Sequence, residues 1–168
     1  MTVVPPYDLL IRGGHVLDPG SGIDGRTDIA VAGGRIAAIA PEIDPAQARR
    51  VVEIRGADRY VVPGLIDIHT HVAHGATTPG VGMGCCDPDD VGVRSGVTTV
   101  VDCGSVGVAN LGVFPTHILP KAATRVVVFV NAGSHAHTMP GWADVATLDD
   151  IDERAIAACV EHNPGLVS

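Results

Sequence analysis

Val61-Val62-Pro63-Gly64-Leu65-Ile66-Asp67-Ile68-His69-Thr70-His71 is the stretch whose reading decides the fold. An apolar run opens on Pro-Gly and ends on His-x-His. Read as a strand, its side chains alternate with period two, which predicts Asp67, His69 and His71 on one face. Alternate residues lie about 6.6 Å apart along a strand, a span across which two imidazoles can converge on one ion at about 2.0–2.1 Å. His69 and His71 are therefore the candidate metal ligands. Asp67 is expected to orient an imidazole or a nearby backbone group rather than to ligate.

Downstream of this stretch, buried strands alternate with helical or loop segments. Residues 97–103 and 125–131 read as strands, 89–95 and 115–123 as helices, and 149–162 as an amphipathic helix. Ile151, Ala155 and Cys159 share one face of that helix, and Asn163-Pro164-Gly165 ends it. Continuous apolar runs such as Val126-Val127-Val128-Phe129-Val130 suit parallel strands covered on both faces. Strand and helix in alternation predict an α/β, βαβ architecture. Leu166-Val167-Ser168 reads as the opening of a fourth strand.

Upstream, residues 1–57 read as part of a small antiparallel sheet or β-sandwich. Gly13-Gly14 between residues 7–12 and 15–18, and Gly33-Gly34 between 28–32 and 35–40, each predict a hairpin, because a Gly-Gly pair supplies the positive φ angles of a two-residue loop. Residues 51–54 add a strand, and 41–50 read as irregular or as a single helical turn.

Composition bounds the function. The chain has 168 residues, 46% of them hydrophobic and 18% charged, enough to bury a core. Eleven Lys and Arg against nineteen Asp and Glu give a net charge of −8, which argues against nucleic acid or an anionic membrane surface as partner. Residues 103–120 form a long uncharged stretch, but Gly104, Gly107, Gly112 and Pro115 interrupt it, so no membrane span is expected. The N-terminus lacks a basic segment followed by an apolar run. Four cysteines, two of them adjacent, do not make a disulfide framework, and a reducing cytoplasm is the expected location.

Pro63-Gly64-Leu65-Ile66-Asp67-Ile68-His69-Thr70-His71, after a leader with Leu9-Leu10-Ile11-Arg12-Gly13-Gly14 and Gly34-Arg35-Ile36-Ala37-Ala38-Ile39, resembles the start of the amidohydrolase superfamily. Arg94-Ser95-Gly96-Val97-Thr98-Thr99-Val100-Val101-Asp102-Cys103-Gly104-Ser105 is similar to its amidohydrolase/deacetylase branch, the relatives of dihydroorotases, hydantoinases and D-aminoacylases. The likeness spans essentially the whole chain. It implies a (β/α)8 TIM barrel with one or two divalent metal ions, commonly zinc, and a small β-sandwich. On that pattern residues 1–57 are N-terminal strands of the sandwich, and 58–168 are an incomplete barrel of three βα units, truncated before strand four. His69 and His71 would hold the first metal. The family's bridging lysine, further histidines and proton-carrying aspartate would lie beyond Ser168, so the catalytic residues are not in this chain.

The implied activity is hydrolysis of an amide, cyclic amide or acetyl ester of a small molecule by the parent enzyme. The 168-residue chain alone is expected to be inactive, because catalytic zinc keeps three protein ligands and two histidines fall short. A non-catalytic fragment or truncated homologue serving in binding or assembly is the alternative, and a homo-oligomer is compatible with either. An open sheet edge and an uncovered apolar face predict aggregation or dependence on a partner.

Other residues carry weaker expectations. His74, in the loop after the metal motif, is a solvated or substrate-facing candidate. Asp102, Cys103 and Ser105 end the second strand and Asn131 the third, where barrel sites form; for Asp102 an anchor for the turn at Gly104 is the equal alternative. His135-Ala136-His137 reads as a solvated or substrate-facing loop and Cys85-Cys86 as an incidental loop pair. Asp87, Asp89 and Asp90 suit a helix N-terminus. His15, His117 and His162 are given no role.

Overall fold

The computed structural model describes residues 4–56, 59–76, 85–136, 145 and 147–167. It divides into two compact units, one ending at Pro63 and the next beginning at Gly64.

Among its described residues the first unit holds seven short strands in two sheets. β1 (Leu9–Arg12), β4 (Asp28–Ala32), β5 (Arg35–Ala40) and β6 (Val51–Glu53) form one, in the order β5-β4-β1-β6. β2 (His15–Asp18), β3 (Ile23–Arg26) and β7 (Tyr60–Val61) form the other, in the order β3-β2-β7. Gly33 and Gly34, at φ +57° and +72°, close the β4–β5 hairpin with Ala32 opposite Arg35, as the dipeptide predicts. Gly13-Gly14 does something else. β1 pairs with β4 and β6 while β2 pairs with β3 and β7, so this pair carries the chain from one sheet into the other and no hairpin forms. Nor is the unit wholly antiparallel, since β1 runs parallel to β6 and β2 to β7. The 41–50 segment holds a single 3-10 turn, Pro45–Gln47, capped by Asp44. Leu10, Ala30 and Ile43 form the unit's small core.

The second unit is a mixed α/β body. Its three-stranded parallel sheet has the order β10-β9-β8, with β8 at Leu65–Thr70, β9 at Val97–Cys103 and β10 at Arg125–Phe129. The expected first barrel strand thus begins at Leu65, because Tyr60–Val61 is spent on β2. Between the strands lie a one-turn helix α1 (Pro88–Val91) and a π-turn (Phe114–Ile118) in place of the longer helices expected. A 3-10 turn (Leu148–Asp150) precedes α2 (Glu153–His162), whose N-cap Asp152 accepts from Ala155 N; Ile151 lies before the helix and bridges Gly133. Val167 forms a parallel bridge with Val128, so the chain returns beside β10 after α2.

Ladder partners share a face, which puts Val100, Asp102, Val126 and Val128 on one side of the sheet. There the three valines join Val72, Val106, Phe114 and Val167 in the main core. Fully buried Phe114 alone contributes about 1.5–3 kcal/mol of apolar burial. Elsewhere on the sheet Ile66, Ile68 and Phe129 stay exposed, at 62%, 73% and 46%. Among the described residues no helix is long and apolar enough to cross a membrane.

Candidate metal centre

The site begins with an irregularity in β8. Its register pairs Asp67 with Val100 and Thr70 with Asp102, three residues advancing against two. Such a slip leaves a backbone group outside the ladder, and the Asp67 carboxylate accepts from His69 N at 3.0 Å. Strict alternation therefore does not run from Asp67 to His71, and His71 lies one residue past the strand's end. Asp67 serves a neighbouring backbone amide, one of the two roles expected of it.

The two rings nonetheless meet. Their centres are 5.7 Å apart and their planes cross at 68°. Two imidazoles bound at about 2.0–2.1 Å put each ring centre about 3.2 Å from the ion, hence about 5.2 Å from each other at a tetrahedral angle. The pair, by its ring-centre separation alone, corresponds to opening that angle to about 125°. It does not complete a site: among the described residues no group of three His, Cys, Asp or Glu side chains converges on one point.

Residues at the end of β9 and just after it hold the second imidazole. His71 Nδ1 lies 3.0 Å from the hydroxyl of Ser105, a residue with no exposed surface. That contact engages Nδ1 of the ring. Asp102, also fully buried, accepts from Val72 N at 2.7 Å and from Ser105 N at 2.8 Å. Each oxygen of Asp102 thus accepts from one backbone amide. It is a clasp joining the loop after β8 to the loop after β9, in line with the anchoring alternative.

Asn131 has a matching role after the next strand. Its amide donates to Gly104 O at 3.0 Å and accepts from Gly133 N at 2.9 Å. Gly104, at φ +81°, sits so close that a Cβ there would stand 3.2 Å from Asn131 Nδ2. His74 is exposed and turns to Cys85 O at 3.1 Å. It lines a separate cleft with Asp87, Pro88, His117, Ile118, Lys121 and Ala122, which includes neither His69 nor His71. His137 lies outside the described residues.

The adjacent cysteines, read as incidental, are where sequence reasoning missed most. Cys86 donates its amide to His71 O at 3.0 Å and its thiol to the same oxygen at 3.4 Å. The Cys85 thiol donates to Ser105 Oγ at 3.7 Å. Burial pushes the Cys85 thiol above its ordinary pKa, with the nearby Asp102 charge adding to the effect against the Ser105 hydrogen bond. Burial and then the Asp102 charge do the same at Cys103, which donates to Ile68 O. The only sequence signal was their place in the loop between His71 and β9.

No family model matches the chain. It is 34% identical over 143 residues to a deacetylase of Agrobacterium fabrum, a match covering 82% of this chain and 32% of that protein. Two solved structures superpose over nearly its whole length. One is an adenine deaminase, with a TM-score of 0.77, 28% identity and coverage of 96% of this chain and 40% of the other. The second is a dihydroorotase, with a TM-score of 0.76, 28% identity and coverage of 95% and 40%. The chain thus spans about a third of the length of the curated relative it matches.

Proposed function

We propose, from the premise that the chain belongs to the amidohydrolase superfamily and forms an N-terminal portion of it, that it is the opening segment of a metal-dependent hydrolase. The bond cleaved is an amide, cyclic amide or acetyl ester of a small molecule. Residues 58–168 supply the first three βα units of a TIM barrel, with Val167 starting the fourth strand beside β10. The observation that carries the reading is the pair of imidazoles 5.7 Å apart at the end of β8, one of them backed by a buried hydroxyl.

His69 and His71 would hold one divalent ion, zinc being the metal suited to imidazole ligands. When bound, such an ion supplies Lewis acidity toward a carbonyl oxygen and brings the pKa of a water molecule down to about 7. The work of this chain is to present two neutral imidazoles in a fixed geometry. Asp67 ties down the His69 backbone, Asp102 and Cys86 the backbone around His71, and Ser105 the His71 ring. A third ligand, a second ion and the proton carrier would come from residues beyond Ser168, and the 168-residue chain alone turns nothing over.

The test is made in the longer gene product. His69→Ala and His71→Ala should each lose metal and turnover together, and wild-type turnover in either removes that residue from the site. A binding or assembly module is the second reading, favoured by the donor set stopping at two. A natural stop after Ser168 together with no retained metal would establish it. One or two zinc equivalents, and a lysine, two histidines and an aspartate downstream, would exclude it.

A further inference from the structure

Cys85 and Cys86 are adjacent in sequence, both unbridged and both half-buried. Their thiols turn to one neighbourhood. Cys86 Sγ donates to His71 O at 3.4 Å, and Cys85 Sγ donates at 3.7 Å to Ser105 Oγ, the oxygen that also lies 3.0 Å from His71 Nδ1. Two backbone contacts anchor the dipeptide there: Cys86 N donates to His71 O at 3.0 Å, and Cys85 O lies 3.1 Å from His74 Nδ1. Neighbouring thiols can be joined by a direct S–S bond or by a bridge through one atom. Adjacent Cα atoms stand about 3.8 Å apart, short of the roughly 4.4–6.8 Å that a disulfide spans. A one-atom bridge enlarges the ring and relieves that misfit.

We propose that Cys85 and Cys86 form a dithiol capture site for trivalent arsenic, and that capture loosens the loop carrying His71. The step is a condensation. One R–As=O group and two S–H groups give two As–S bonds and one water, with no change of oxidation state and no further reactant. Each thiol gives up the proton it donates to Ser105 Oγ or to His71 O, so both contacts end. Burial keeps the Cys85 thiol protonated. That slows alkylating agents, which need the thiolate, but does not oppose a condensation that removes both thiol protons as water. Cys103, whose thiol donates to Ile68 O, has no cysteine beside it in the sequence and cannot chelate in this way. Capture requires no ion at His69 or His71.

The experiment treats the full-length protein with phenylarsine oxide in excess 2-mercaptoethanol, which strips arsenic from single thiols but not from a dithiol chelate. Trypsin then separates the cysteines: residues 60–94 carry Cys85 and Cys86, and 95–121 carry Cys103 alone. One arsenic on 60–94, released by 1,2-ethanedithiol and absent from both Cys85→Ser and Cys86→Ser, upholds the site. No arsenic on 60–94, or arsenic retained in either variant, overturns it. Hydrogen exchange on the wild-type protein reads the loosening and needs no variant to fold. With arsenic bound, the amides of Val72 and Ser105 should exchange about 2- to 10-fold faster, the loss of about one hydrogen bond, while Leu10 in the first unit stays unchanged. Equal exchange with and without bound arsenic overturns the coupling to the His71 loop.

Discussion

Asp102→Asn is the substitution that tests the clasp most directly. The wild-type carboxylate is fully buried and gives one oxygen to Val72 N at 2.7 Å and the other to Ser105 N at 2.8 Å. An amide keeps one acceptor and turns an NH2 group toward the second backbone N–H. One hydrogen bond to a charged group, worth about 1.5–3 kcal/mol, is lost, and the other falls to the neutral range of about 0.5–1.5 kcal/mol. The expected cost is about 2–4 kcal/mol, a large share of the 5–15 kcal/mol typical of a domain. Urea denaturation followed by circular dichroism reads it as a lower midpoint at constant slope. Hydrogen exchange reads it locally, the amides of Val72 and Ser105 exchanging roughly 30- to 900-fold faster at about 1.36 kcal/mol per decade. Exposed Glu161→Gln on α2 serves as control and should stay within about 0.5 kcal/mol. A cost below about 0.5 kcal/mol for Asp102→Asn would mean that the two amides find other partners and that Asp102 is no clasp.

Further outcomes follow from other contacts. Gly107→Ala should cost about 1–3 kcal/mol or more, because a Cβ would stand 2.0 Å from Gly133 O and 2.5 Å from Ser134 O, both backbone. Gly112→Ala, with nothing within 4 Å, should be near neutral in the same melt. The carboxyl of Asp28 is held below its ordinary range: burial opposes ionisation, but the amides of Ile43 and Gly13 and the Arg12 guanidinium outweigh it. A depressed folded pKa means that its stabilisation is present above the unfolded value of about 4 and is lost as pH falls through the folded one. Asp28→Asn should flatten the first unit's stability between about pH 5 and the acid transition, and an unchanged slope would refute the assignment. Cys85 and Cys103, with raised thiol pKa values, should alkylate more slowly at neutral pH than a free cysteine peptide, and equal rates would contradict their burial. Exposed Leu65, Ile66 and Ile68 on edge strand β8 should make the isolated chain self-associate, and Ile68→Lys should reduce this. A monomeric, reversible wild-type melt would count against that.

What could be read in advance depended on whether the deciding contact was local. Gly33-Gly34 and Gly13-Gly14 are the same dipeptide between similar apolar runs. The first closes a hairpin because β4 and β5 have no better partners than each other at that end. The second does not, since β1 finds its partner in β4, well beyond the neighbouring strand, and no local propensity reports that competition. The histidine pair was legible as a motif, yet its geometry comes from a slip in β8 that strict alternation does not contain. For Asp102 the residue type alone allows both a site role and an anchor; its burial and its two backbone partners, which show the anchoring contacts, depend on long-range packing. Cys85 and Cys86 lacked any recognisable metal spacing, and their contacts to Ser105 and His71 depend on where a loop lands.

These contacts share a direction. Asn131, after β10, reaches back 27 residues to the loop after β9, and Asp102, at the end of β9, reaches back 30 residues to the loop after β8. Each strand end props the loop of the strand before it, and the last prop in the series holds His71. The imidazoles are therefore encoded by one short segment but aimed by the next two strands. Weakening Asn131 should loosen Gly104, then the Ser105 hydroxyl, then the His71 ring, although Asn131 touches neither histidine. A centre built this way forms only as the parallel sheet forms, so a peptide carrying the His-x-His motif alone would hold the right residues in no fixed arrangement.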